Sequence, residues 1–467
     1  MSAQTTEAPA PPPAGAAPAP PGTRRPARPG LALAVIAGCN AMIQLDDPIV
    51  NIALPGLRAE LGLSPVATSW IVTAYLLTFG GLLLLGGRAG DILGRRKVFL
   101  AGVGLFTAAA LLRGAATSGE FLVAVRVAQG AGAALAAPSG LALVLSMFAP
   151  GPARKRAIAV CTATGAVSTA GGLLLAGALT SLGSWRWVLY LDVPLGLAIL
   201  LLGPFVLRET APNPGRFDLA GALVSALGAG ALVYGLGQAA ERPWGDPAVV
   251  GCLAAAVALF AVFAVIERRA EQPIVLPRLF TDRERLPAYL ATLAIPGALI
   301  GTYFFLNQFL QGEHGWSALA TACALLPLPV TMATTALAAV GLERRFGPKR
   351  LMAAGATLLV LGNLWLATLD SSAPYATGVL PALVLLGAGM AACVLPPTLI
   401  ATSKLRDGEA GAASSVLNCL QSVGGSIGLA TLVTVSARGG MQGGFLAGAG
   451  FAALALVAAS LLRRRSH

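Results

Sequence analysis

The chain has 467 residues, of which 56% are hydrophobic and only 11% charged, with a mean hydropathy of +0.76. A water-soluble protein carries roughly a quarter charged residues, so the soluble classes are excluded. A net charge of +12 raises nucleic acid as a partner, and the distribution of the basic residues along the chain decides against it.

Residues 1–30, rich in Pro and Ala (APAPPPAGAAPAPPGTRRPARPG), have too few large apolar side chains to build a core and read as a disordered tail. They lack the short apolar stretch of a secretory signal peptide. Beyond them, fourteen apolar segments follow at 31–53, 66–87, 98–117, 120–147, 157–180, 187–207, 218–238, 248–266, 287–310, 317–341, 351–369, 377–400, 411–436 and 444–462. Most are near the length of about 20 residues that crosses the hydrocarbon layer. The short connections leave no room for a soluble catalytic or nucleotide-binding domain.

With the tail on the cytoplasmic side and the segments alternating, most of the 32 Lys and Arg fall on the inside. Only Arg58, Arg113, Arg186, Arg242 and Arg438 fall outside, and Arg126 lies within a span. That asymmetry is the positive-inside rule. It predicts a multi-pass cell-membrane protein with both termini cytoplasmic, and no nucleic-acid partner.

Several chemistries find no support. There is no GxxxxGK[ST] phosphate loop. The histidines are His314 and His467, without the partners that catalysis or a metal would need. The six cysteines fall inside predicted spans with no CxxC spacing and read as small packing residues. The expectation is a non-enzyme with no cofactor and no metal, driven by an ion gradient. A proton offers about 2.3 kcal/mol per 100 mV and about 1.4 kcal/mol per pH unit.

Three polar constellations stand out. The first span, NAMIQLDDPIVNIALP, holds Asp46 and Asp47 in an apolar helix, where each costs about 2.5–3.5 kcal/mol on insertion scales. Neighbouring positions point about 100° apart, so one acid faces a central cavity and the other an interface or a proton. The alternative is a helix end that begins early, with both acids in water. The loop GGRAGDILGRRKVFLAG pairs small residues with Asp91 and the run Arg95, Arg96, Lys97; it reads as a cytoplasmic latch of ion pairs, against an ordinary positive-inside loop. Arg126, a guanidinium within the fourth span, needs water, a carbonyl or a carboxylate.

On these residues the chain resembles the major facilitator superfamily, in particular its fourteen-span drug:proton antiporter branch. Gly87, Asp91, Gly94, Arg95 and Arg96 match the signature between helices 2 and 3. LDDPIVNIALP is similar to the first-helix signature, with Asp46 at the family acid and Pro48 where Thr is usual. VAVRVAQGAGAALAAPSG resembles the helix-4 motif through Arg126, Gln129, Gly130 and Gly132. SWRWVLYLDVPLG matches the signature into helix 6, with Asp192 where Asn is usual. In the fifth span Gly165, Gly172 and Gly177 keep the antiporter register, although Leu173 replaces its Pro and Ala176 a Gly.

The resemblance implies an all-α integral membrane protein with the major facilitator fold, two six-helix bundles plus two additional helices. The expected divisions are a bundle over 31–207, an inserted helix pair and linker over 208–286, a bundle over 287–462, and a tail over 463–467. A degenerate echo, LERRFGPKRLMAAG, aligns with GDILGRRKVFLAG through Gly347 and Gly94, as parallel repeats would. The resemblance also implies proton coupling at Asp46 modulated by Arg126 (a structural Arg capping carbonyls being the alternative), with Asp47 as a second membrane acid. Gln44, Gln129, Asn307, Gln308, Asn363, Asn418 and Gln421 are candidates to line a cavity or to bond helix to helix. The implied activity is proton-coupled export of a small lipophilic compound by a monomer in the bilayer. A siderophore, amino acid or biosynthetic product is the alternative cargo, and a membrane sensor the more distant reading.

Overall fold

The computed structural model describes residues 29–148, 151–209, 219–269, 285–370, 373–401 and 410–462. Almost all of the expected tail 1–30, the whole of 463–467 and much of the linker before residue 285 lie outside the described residues. The described residues are mostly helical, with no strand among them.

Helices α1 (Pro29–Leu61), α2 (Pro65–Leu93), α3 (Arg95–Gly114), α4 (Gly119–Met147), α5 (Pro152–Leu182), the short α6 (Trp185–Leu189) and α7 (Asp192–Val206) make up the first lobe. A pair, α8 (Leu219–Glu241) and α9 (Pro247–Arg269), comes next. The second lobe holds α10 (Arg285–Gln308), α11 (Ala318–Leu325), α12 (Pro327–Leu366), α13 (Leu380–Ala401) and α14 (Ala410–Leu461). The helix starts follow ordinary chemistry. Ser64, Ser118 and Ser317 each accept a hydrogen bond from a backbone N–H three residues on, which satisfies a donor the first turn leaves open.

Twelve helices among the described residues are long and apolar enough to cross a membrane, against the fourteen expected. Expected segments 411–436 and 444–462 fall together in one of the twelve, Val416–Leu461, and 351–369 falls in none of them. In α12, Gly347 takes φ 78° and ψ 161°, and residues on both sides of it (Leu328 and Leu359) reach the same stretch of α13, at Gly387 and Gly389. In α14, Gly440 takes φ 62° and ψ −169°, and Gly428 and Phe451, one on each side, both meet Gly297 of α10. The backbone leaves the helical region at both points, so α12 and α14 are each two helices that meet at a kink. A positive φ of this size favours Gly because it has no Cβ.

Close packing rests on small residues, as it must where lipid removes the hydrophobic drive between helices. Gly102 of α3 and Gly132 of α4 interlock, and Gly86 of α2 lies on the backbone of Ala134 and Leu135. In α14, Gly424 and Gly428 form a GxxxG that seats on Leu293 and Gly297 of α10. The pair α8–α9 docks at the seam between lobes, where α8 touches both α2 and α14. Trp70 and Tyr234 meet there at 5.8 Å, and the Thr434 hydroxyl donates to the Leu236 carbonyl at 2.6 Å.

Replacing Gly428 by Leu drives a side chain into the Gly297 backbone; overpacking of this kind costs about 1–3 kcal/mol or more. The variant is expected to melt well below the parent in detergent. Gly450→Leu, where a Cβ meets nothing within 4 Å, is expected to melt as the parent does.

Candidate functional site

Proline is tolerated within membrane helices, and α1 runs unbroken past Pro48 and Pro55. Asp46 and Asp47 therefore keep helical spacing and point in different directions. Asp46 turns into the first lobe and is 0% exposed. Asp47 turns to a cavity between the lobes.

Around Asp46 the first lobe assembles a closed set of charges. Its Oδ2 accepts from Arg126 Nη1 of α4 at 2.5 Å, and its Oδ1 accepts from Arg113 of α3 and from Gln129 Nε2 at 2.8 Å. Arg113 Nη2 donates to Asp192 Oδ2 of α7 at 2.9 Å and to the Leu189 carbonyl at 3.1 Å. Gln129 Oε1 accepts from Arg113 at 3.1 Å and Arg126 at 3.0 Å. Arg126 Nε donates to the Ile71 carbonyl at 2.7 Å, and its guanidinium lies 4.3 Å from the Tyr75 ring centroid. The two acids, both arginines and Gln129 are all buried. Charges so far from water hold only when paired, and losing one partner strands the other.

Sequence reasoning names Asp46, Arg126 and Gln129 here but places Arg113 outside. That placement is corrected: Arg113 is 0% exposed and bridges both acids. It sits in the last turn of α3, where the end of a span and the start of a loop look alike in sequence. Asp192 departs from its signature, and its pairing with Arg113 supplies the reason: the guanidinium has a carboxylate to match.

The cavity, about 370 Å³, is lined by helices of both lobes. Gln44, Asp47, Asn51, Tyr75, Phe79 and Tyr303 form much of its polar and aromatic wall, with Met332 and Met390 opposite. Beyond Asn51 the lobes are tied together. Asn307 Nδ2 donates to the Asn51 carbonyl, and Gln311 Nε2 reaches the Ile52 carbonyl at 3.2 Å and Asn307 Oδ1 at 2.9 Å. Arg58 donates to Gln308 Oε1 at 2.8 Å, and the Leu319 N–H to the Ser181 hydroxyl at 3.0 Å. Gly177 lets α5 meet Ala318 and Ala322 of α11 there, while Gly165 lies against Asn40 and Gln44 and Gly172 against Leu45 of α1.

At the far end of α2, Asp91 pairs with Arg95 at 2.9 Å, and Arg95 also donates to the Ala142 carbonyl at 3.3 Å. Gly94, at φ 103°, breaks the helix. Glu209, which sequence reasoning misses, accepts from the N–H groups of Arg96 at 3.0 Å and Lys97 at 3.2 Å. An acid at a helix N-terminus is favoured by the dipole. Gly87 lies against Pro138. Of the other candidates, Asn363 is buried and accepts from the Thr302 hydroxyl at 2.6 Å, a helix-to-helix bond. Asn418 is exposed and Gln421 half-buried, and α14 lines the cavity through Ser422.

The profile of the Major Facilitator Superfamily matches residues 36–429 and, in a second alignment, 330–467. The chain is 38% identical over 408 residues to a puromycin resistance protein of Streptomyces alboniger, covering 86% of this chain and 81% of that one. It is 37% identical over 417 residues to a cephamycin export protein of Amycolatopsis lactamdurans, covering 87% and 85%. Among solved structures, an auto-inhibited POT family peptide transporter superimposes with a TM-score of 0.68 at 18% identity, over 94% of this chain and 97% of that one. That likeness speaks to the fold.

The paired charges make a prediction about stability. Arg113→Gln leaves Asp46 and Asp192 without a shared cation, a loss on the order of 3–5 kcal/mol. Adding Asp192→Asn to it is expected to recover stability, with a coupling of about 0.5–3 kcal/mol in a double-mutant cycle read from thermal unfolding. Strict additivity would contradict the network.

Proposed function

The chain belongs to the major facilitator superfamily, and on that premise we propose that it is a proton-coupled exporter of small lipophilic drugs or antibiotics. It is a multi-pass membrane protein with a small-molecule substrate, working as a monomer with both termini cytoplasmic. The inserted pair over 208–286 divides the bundles 31–207 and 287–462. The observation that carries this reading is the buried set Asp46, Arg113, Arg126, Gln129 and Asp192, joined to a cavity that both lobes line through Asp47 and through Tyr75, on whose ring Arg126 lies. Relatives named for antibiotic resistance and export favour a drug as the cargo and the outward direction.

The mechanism follows from the geometry. Asp46 is held by two guanidiniums, so its proton affinity depends on how closely they approach. A shift of α3 or α4 that loosens either contact favours a proton, and closure expels it. The ties at Asn51, Asn307 and Gln311 close the face that the charge distribution assigns to the outside, which leaves the cavity to load from the cytoplasm. Rocking the lobes breaks those ties and opens the cavity outward. Asp91, Arg95, Arg96, Gly87 and Gly94 form the latch of the cytoplasmic face, and the small residues Gly165, Gly172 and Gly177 give α5 the clearance to slide against α1 and α11.

In proteoliposomes with an imposed pH gradient, the parent protein is expected to concentrate a transported drug, and Asp46→Asn, compared at an equal amount of folded protein below its own melting temperature, to fall to the level of protein-free vesicles. Gradient-driven transport that survives Asp46→Asn contradicts the assignment.

A further inference from the structure

Asp47 is left over once the charges are matched. In the first lobe Arg113 and Arg126 stand against Asp46 and Asp192, each acid in a direct ion pair, so the buried set matches two acids with two bases. Asp47 joins none of these pairs. The hydrogen bond at its position runs from the Asn51 side chain to the backbone carbonyl, and among the described residues its Oδ1 is buried with no hydrogen-bond partner. Among the described residues it is also the one charged side chain in the wall of the cavity.

The rest of that wall is matched to an apolar body. Tyr75 and Phe79 are stacked at 5.9 Å, tilted by 6°, and Tyr303, Met332 and Met390 complete an adaptable apolar surface. A carboxylate with no direct ion-pair partner in such a wall is strongly disfavoured unless something cancels its charge. Aromatic faces nearby attract cations as well.

We infer that Asp47 is the substrate-selecting residue of this cavity, and that it selects lipophilic monocations, whose charge the carboxylate neutralises while the aromatic and methionine wall takes the apolar body. The inference rests on the transporter reading of the cavity and adds the class of its cargo. Asp47 lies next to the acid of the buried network in sequence, yet the turn of the helix gives the two different partners. Asp46 answers to arginines within the lobe, and Asp47 to whatever enters between the lobes. The Asn51 side chain, bonded to the Asp47 carbonyl at 3.0 Å, ties the selecting residue to the turn whose own carbonyl Asn307 holds.

Equilibrium dialysis of the purified protein tests this with two probes of similar shape, tetraphenylphosphonium and the uncharged triphenylphosphine oxide. Asp47→Asn is expected to weaken tetraphenylphosphonium binding by about tenfold or more, the loss of one buried charge interaction. Triphenylphosphine oxide binding is expected to hold, and Asp47→Glu to restore most of the cation affinity. Tetraphenylphosphonium binding unchanged in Asp47→Asn overturns the inference. So does equal loss of both probes in a variant that melts as the parent does, or failure of the parent to bind the cation. Because binding is read without a gradient, failure of proton coupling at Asp46 leaves this result standing, and the two assignments fall separately.

Discussion

A carboxylate clasped between two guanidiniums, deep in an apolar interior, is the constraint around which the first lobe is built. Asp46 comes from α1, Arg113 from α3, Arg126 from α4, and Asp192, which pairs with Arg113, from α7. Each is expensive alone in such surroundings and tolerable only together. Four helices must therefore meet at one level, and the glycines that bring α3 and α4 into contact, Gly102 and Gly132, serve that meeting. Charge pairing sets the register of the lobe, and small residues permit it.

The same pairing explains why the site divides its labour. Asp46 is paired with two arginines of its own lobe, so under the proposed mechanism its carboxylate answers to movement of that lobe. Asp47, one residue on and turned to the cavity, joins none of those ion pairs. The ties from Asn307 and Gln311 to the carbonyls of Asn51 and Ile52 hold the end of α1 only four to six positions beyond these acids. The acids and the ties between the lobes thus share one short stretch of one helix, and the proposed coupling needs no long chain of intermediates.

Much of this is legible in the sequence, for a physical reason: a charge inside an apolar segment is so costly that it announces a partner. Asp46 and Arg126 stand out in that way, and Asp91 with Arg95 by their helical spacing. Arg113 does not, because a basic residue four positions from the end of an apolar segment reads equally well as a loop charge, and its partner Asp192 is 79 positions away. Glu209, 113 positions from the N–H of Arg96 that it caps, is invisible for the same reason. The apolar pattern locates the segments, but the kinks at Gly347 and Gly440, where two helices join with no long loop, are not readable from it. Which way each of two adjacent acids points is also open until packing fixes the rotation of α1.

The central claim is that the Asp46 carboxylate gains and loses a proton as its arginine contacts open and close. Difference infrared spectroscopy of the reconstituted protein, recorded on adding a transported uncharged compound, reads this directly. The account predicts a change in the protonated-carboxyl band of the parent that vanishes in Asp46→Asn and persists in Asp47→Asn. A band that persists in Asp46→Asn, or a parent that shows none while it transports, would contradict it.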